Sequence, residues 1–313
     1  MSGRPIIIDT DPGQDDAVAI LVALASPELD VRAITTVAGN VPLPLTTKNA
    51  LMLCELAGRT DVPVHAGCAG PLVRPLFTAE YVHGPTGLDG ANLPDPVTTP
   101  APGHGVDALI DIVMASDDVT ICPLGPLTNV AMAMVKEPAI VSRIREIVMM
   151  GGGFFEGGNV TPAAEFNIYV DPHAAHRVFR SGVPITMMPL DVTHKAVTTP
   201  DRIEAFRRLA TPAGTAVAGM LDFFDRYDIE KYGSEGGPLH DPCVIAYLLE
   251  PDIFSGKPCH VEIEIASEAT IGMTLVDWWG VTGSEPNALV IGDLDPDRFF
   301  SLLVDRIATV AHD

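Results

Sequence analysis

Ile6-Ile7-Ile8-Asp9-Thr10-Asp11-Pro12-Gly13-Gln14-Asp15-Asp16 reads as a buried strand that runs through a tight break into a helix. Three branched apolar residues favour an extended segment, Pro12 and Gly13 end it, and residues 17–25 form an apolar helical stretch. Four carboxylates therefore share one strand-to-helix turn, at the carboxyl end of a strand, where open α/β sheets place their ligands. Two unit charges about 5 Å apart repel by about 3 kcal/mol at an effective dielectric near 20. Protons, a helix dipole or a cation must offset that crowding. A helix N-terminus accounts for Asp15 and Asp16, and an Asx-turn for Asp9 or Asp11, but neither covers all four. A bound cation does. Oxygen donors with no Cys or His nearby select a hard ion, Ca²⁺ or Mg²⁺ rather than Zn²⁺. The spacing is not that of an EF-hand loop, because the twelfth position from Asp9 is Ile20 rather than Glu.

Outward from this turn, strands and helices keep alternating. Residues 31–37 read as a second strand ending in Ala38-Gly39-Asn40, and 47–56 as a helix stopped by Gly58. Strands follow at 119–122, 147–150 and 184–188, with helices at 127–135 and 172–179. A long helix covers 211–232, another opens after His240-Asp241-Pro242, strands lie at 271–277 and 287–291, and a final helix spans 296–311. This alternation predicts an α/β fold: one domain over residues 1–313, with an open, mostly parallel sheet flanked by helices. The breaker-rich stretch from about residue 71 to 102 is too long for a plain connection and reads as either a functional loop or a disordered one.

The chain has 313 residues, 47% of them apolar, enough for a sizeable core. Nineteen basic against 41 acidic residues give a formal charge of −22, which repels nucleic acid and anionic lipid. No nucleic-acid and no membrane partner is expected; a cation or a neutral small molecule is. Five scattered cysteines without Cys-x-x-Cys spacing predict free thiols in a reducing compartment. No signal-peptide pattern precedes the first strand, so a cytoplasmic location is expected.

The segment from Asp9 to Asp16 closely resembles the signature of the nucleoside hydrolases, the inosine-uridine-preferring ribohydrolase family. The resemblance recurs in five more places, covering residues 5 to about 243. It matches Ala38-Gly39-Asn40, with Asn40 on the ribose, and the loop His83-Gly84…Gly87-Leu88-Asp89-Gly90, with His83 at the mouth of the site. At Cys122-Pro123-Leu124-Gly125-Pro126 the resemblance implies that the Leu124 carbonyl is a metal ligand. Asn159…Glu165-Phe166-Asn167 matches the family's ribose clamp, and its amides and carboxylate suit vicinal hydroxyls. At Leu239-His240-Asp241-Pro242 a capping role suffices for Asp241 and Pro242. The resemblance instead makes Asp241 the last metal ligand and His240 a candidate acid. Aromatics at helical spacing usually belong to a core. By resemblance the helix ending near residue 232 covers the base, which nominates Tyr227 and Tyr232. Trp278 and Trp279 fit either core or pocket, and the histidines at 65, 104, 173, 176, 194, 260 and 312 read as ordinary.

The resemblance implies Ca²⁺-dependent hydrolysis of the N-glycosidic bond of ribonucleosides, with a pyrimidine-leaning or broad base preference and a dimer or tetramer as assembly. Asp11, Asp16, Leu124 and Asp241 would hold the ion. Asp11 would act as base, and Asp15, Asn40, Asn159, Glu165, Asn167 and Asp241 would contact the substrate. Two other classes stay open. A strand followed by Asp-x-Asp also opens the haloacid-dehalogenase-like, Mg²⁺-dependent phosphatases. There a Thr or Val usually stands two residues after the second Asp, where this chain has Gly13. A non-catalytic, Ca²⁺-stabilised nucleoside-binding protein is the third.

Overall fold

β1 (Arg4–Thr10) runs through the interior of an eight-stranded sheet, with Ile6, Ile7 and Ile8 fully buried. Burying each such side chain contributes about 1.5–3 kcal/mol. The structure is a computed structural model that describes residues 3–116 and 118–310, without the side chain of Tyr232. His312 lies outside the described residues. After β1 come α1 (Gln14–Leu24), β2 (Leu29–Thr36), α2 (Leu43–Leu56), β3 (Val64–Ala66), α3 (Glu80–His83) and α4 (Gly105–Met114). The middle of the chain forms β4 (Val119–Pro123), α5 (Thr128–Lys136), β5 (Ile144–Met150), α6 (Phe166–Val170), α7 (Pro172–Phe179) and β6 (Ile185–Met188). Next are α8 (Leu190–Thr193), α9 (Pro200–Arg208), α10 (Pro212–Tyr232) and α11 (Pro242–Leu249). The chain closes with β7 (Phe254–Cys259), β8 (Val261–Ile263), β9 (Thr274–Val276), β10 (Ala288–Leu294) and α12 (Pro296–Ile307).

The strand order is β3-β2-β1-β4-β5-β6-β10-β7, and every neighbouring pair is parallel except β10 with β7. β8 and β9 make a separate antiparallel pair. Because strand side chains alternate between faces, Ile6 and Ile8 join one core while Ile7 joins the other. The first core collects α1, α2 and α9 to α12; the second collects α4, α5 and α7. The chain steps from β1 toward β2 and β3 on one side, and from β4 onward on the other. The β1/β4 junction is thus the topological switch point, the crevice where such sheets bind ligands.

The expected mostly parallel α/β sheet is present, with several boundaries moved. α1 begins at Gln14 rather than residue 17, which places Asp15 and Asp16 in its first turn. α2 begins at Leu43, with proline in its first turn. The predicted strand 271–277 shrinks to β9, because Gly272 adopts a left-handed φ of 82° and turns the chain. β7 carries no strong strand signal, since Gly256, Lys257 and Pro258 interrupt it. It forms the sheet edge, where proline is tolerated and lysine discourages further pairing. The final helix stops at Ile307, short of the predicted residue 311.

Candidate active site

At the switch point the four clustered carboxylates divide. Asp9 turns away: its Oδ1 accepts from Thr35 Oγ1 at 2.5 Å and Asn129 Nδ2 at 2.8 Å, and burial pushes its pKa up to about 6. Asp11, Asp15 and Asp16 remain together and are joined by Asp241 from the start of α11. One Asp11 oxygen accepts from the Asn40 backbone N–H at 2.7 Å. A Cβ at either Gly39 or Gly125 would lie 2.0 Å from an Asp11 carboxylate oxygen, so both loops must be glycine to let that side chain in. Asp16 accepts from Thr10 Oγ1, from Gly13 N at 2.9 Å and from Asn40 Nδ2 at 3.2 Å. Asp241 occupies the N-cap position of α11 but makes no capping bond, so the capping explanation for this carboxylate fails.

Asp15, Asp16 and Asp241 each bring a carboxylate oxygen within 4.8 Å of the other two. Asp11 Oδ1 and Asp15 Oδ1 are buried without a hydrogen-bond partner. Burial above all, then the neighbouring carboxylates, raises Asp15 to about 8 and lifts Asp11 and Asp241 well above the carboxylate range. Asp16 is raised by burial too, against its bonds from Thr10 and Gly13. Unpartnered, dehydrated oxygens of one charge fit a hard cation, which would supply the missing partner and reverse these shifts. Of the expected ligands, Asp16 and Asp241 come together with Asp15, a residue expected on the sugar, while Asp11 lies beside this group as an electrostatic neighbour rather than within it. Leu124 lines the cavity with Asp15 and Asp241, and its carbonyl accepts from Asn167 Nδ2 at 2.6 Å.

The expected sugar-binding groups line the same cavity as Asp15, Asn40 and Asp241. Two of them also shape their own loop. Glu165 caps α6 and accepts from Asn167 N at 2.8 Å, Gly152 N at 2.9 Å and Ile168 N at 3.2 Å. Asn159 Oδ1 accepts from Phe166 N at 3.0 Å. The clamp is thus prebuilt by backbone contacts, a feature that residue types alone do not reveal.

His83 and His240 both reach the cavity, and burial pushes the pKa of each down to about 3. His240 Nδ1 lies 2.8 Å from Thr193 Oγ1, and among the described residues no carboxylate is hydrogen-bonded to its ring. The candidate acid His240 is therefore a neutral ring in these surroundings. His194, read as ordinary, lines the cavity too, with its ring 5.9 Å from that of His240 and its Nδ1 3.1 Å from Glu156. Nothing local in the sequence marked it; only α8 brings it there. Tyr227 lines the cavity, with Lys231 Nζ 2.5 Å from its hydroxyl and the Tyr81 ring 5.6 Å away. Tyr232 closes α10, and its side chain lies outside the described residues. Trp278 stacks on Phe154 at 5.0 Å and Trp279 is 75% exposed; neither lines the cavity.

The cavity encloses about 460 Å³, a usual size for a small-molecule site. The family model described as inosine-uridine preferring nucleoside hydrolase matches residues 6–301. A Schizosaccharomyces pombe protein without an assigned activity is 51% identical over 304 residues, covering 96% of this chain and 98% of the relative. The pyrimidine-specific ribonucleoside hydrolase RihA of Photobacterium profundum is 50% identical over 307 residues, 97% of this chain and 99% of the relative. Among solved structures, a purine-preferring ribonucleoside hydrolase from Gardnerella vaginalis superposes with a TM-score of 0.91 at 33% identity, covering 98% of each chain. With fold, acidic crevice and family match in agreement, the chain belongs to the inosine-uridine preferring nucleoside hydrolases, enzymes of the ribonucleoside hydrolase class.

Proposed function

We propose that this protein splits the N-glycosidic bond of ribonucleosides with water, depends on Ca²⁺, and prefers pyrimidine nucleosides or takes a broad range. The observation that carries the reading is the buried acid cluster with unpartnered oxygens beside a cavity of small-molecule size. Glycoside cleavage passes through an oxocarbenium-like transition state. Asp15, Glu165 and Asp241 at the cavity wall favour positive charge developing on the sugar. Asp11 accepts the proton of the attacking water as general base. Asp15, Asn40, Asn159, Glu165 and Asn167 orient the ribose. With Nδ1 of His240 engaged by Thr193, Nε2 is the nitrogen that meets the departing base. When bound at Asp11, Asp16, Asp241 and the Leu124 carbonyl, the cation supplies Lewis-acid activation of water and offsets carboxylate repulsion.

The pyrimidine preference is supported by RihA relatives at about half identity. A phosphatase reading fits less well. No lysine or arginine stands among the described residues lining the cavity, and Asp9 faces away from it. Incubating the purified protein with uridine and inosine should release free base and ribose. Phosphate release from phosphoesters instead, or nucleoside binding without turnover, would contradict the proposal.

A further inference from the structure

Gln14 is fully buried at the start of α1, and its amide is spoken for on both sides. One end lies 2.9 Å from the His83 carbonyl and 3.2 Å from the Asp89 carbonyl. Carbonyls only accept, so this end must be the NH₂ group. The opposite end is then the amide oxygen, and it lies 2.7 Å from His83 Nδ1. An amide oxygen only accepts, so Nδ1 must carry the proton. The His83 ring is buried and packs 5.5 Å from Phe224, surroundings that disfavour an imidazolium. Its Nε2 has no protein partner among the described residues, while the ring lines the cavity.

We infer that Gln14 locks His83 in the Nδ1–H tautomer and so presents Nε2 to the cavity as a pure hydrogen-bond acceptor, making Gln14 a positioning residue for ligand choice. The ligand group that meets His83 must then be a donor, an O–H or an N–H. A ribonucleoside offers both kinds, the 5′-hydroxyl of the sugar and, in uridine, the ring N3–H of the base. This role rests on the nucleoside reading above; the tautomer itself does not.

Two measurements test it. In ¹⁵N-histidine-labelled protein, long-range ¹H–¹⁵N correlation distinguishes a protonated from a bare ring nitrogen, and the His83→Asn variant identifies the His83 signals. At neutral pH Nδ1 should be protonated and Nε2 bare. A proton on Nε2, alone or with one on Nδ1, overturns the inference. In steady-state kinetics, either 5′-deoxyuridine or 3-methyluridine should lose about 10–100-fold in kcat/KM against uridine, mainly in KM, the range for leaving a buried acceptor unpaired. Which analogue loses names the donor. Gln14→Leu should release the tautomer, weaken uridine to a similar extent and erase most of that analogue's penalty. Wild-type tautomer and kinetics in Gln14→Leu, or no penalty for either analogue, would overturn the assignment. If Gln14→Leu does not fold, the wild-type spectrum and the two analogues still decide. If uridine and inosine are not cleaved at all, the hydrolase reading falls, and the spectrum alone decides the tautomer.

Discussion

Asp241 does one thing with its backbone and another with its side chain. The backbone starts α11, with Pro242 in the first turn, while the carboxylate turns to Asp15 and Asp16. From sequence, an Asp before Pro at a helix start is fully explained by capping; only the missing capping bond separates the two roles. Asp11→Asn, Asp16→Asn and Asp241→Asn should each lower kcat on uridine by about 10²-fold or more, because each removes charge where the transition state needs it. A variant that keeps wild-type turnover would remove its residue from the site. His240→Ala should cost about 10²–10⁴-fold on uridine if it assists the leaving base. It should cost far less on p-nitrophenyl riboside, whose leaving group departs unaided. An equal loss on both would assign His240 to holding Asp241 or the sugar. The contacts of Asp9 with Asn129, of His240 with Thr193 and of His194 with Glu156 were illegible in the sequence, since each joins segments 38 to 120 residues apart.

The turn from β1 to α1 works because two loops from different parts of the chain leave room for it. Gly39 follows β2 and Gly125 follows β4, and both abut the Asp11 carboxylate. Gly39→Ala or Gly125→Ala would drive a methyl to 2.0 Å from its oxygens unless Asp11 moves. A displacement of that kind can cost about 10² in rate even when the fold survives. We expect kcat to fall by at least that much while far-UV circular dichroism stays unchanged; near-normal kcat would show that Asp11 has slack. The buried strands β1, β2, β4, β5 and β6 were legible because their branched apolar runs are short and bounded by glycine or proline. The edge strand β7, the short helix α8 and the start of α2 were not, because composition there points elsewhere and tertiary packing decides.

Across the whole molecule, the acid cluster couples pH to stability and to cation binding. Carboxyls such as Asp15 at about 8 and Asp9 at about 6 keep protons in the folded state that the unfolded chain gives up near pH 4. Without a cation, the stability they contribute is complete at low pH and is lost as pH rises from about 4 to 8. His83 and His240 act in the opposite sense. Their pKa near 3 means that stability is complete above about 6.5 and is lost as pH falls toward 3. A cation must displace the carboxyl protons, so Ca²⁺ should raise Tm more at pH 8 than at pH 5.5. An equal or larger rise at the lower pH would contradict a site built from these groups. Ribose should be demanded as well: 2′-deoxyuridine is expected to react about 10⁴-fold more slowly than uridine, because the clamp is left unpaired. Comparable kcat/KM for the two would refute that clamp.

The central claim, a hard-cation site that drives N-glycoside hydrolysis, is met most directly by following base release from uridine in exhaustively chelated protein while Ca²⁺ is added back. Activity should be absent after verified metal removal and should return in full as about one Ca²⁺ binds per chain, the count for a single site of this kind. Full activity in metal-free protein, or recovery with Zn²⁺ but not with Ca²⁺, would contradict the account.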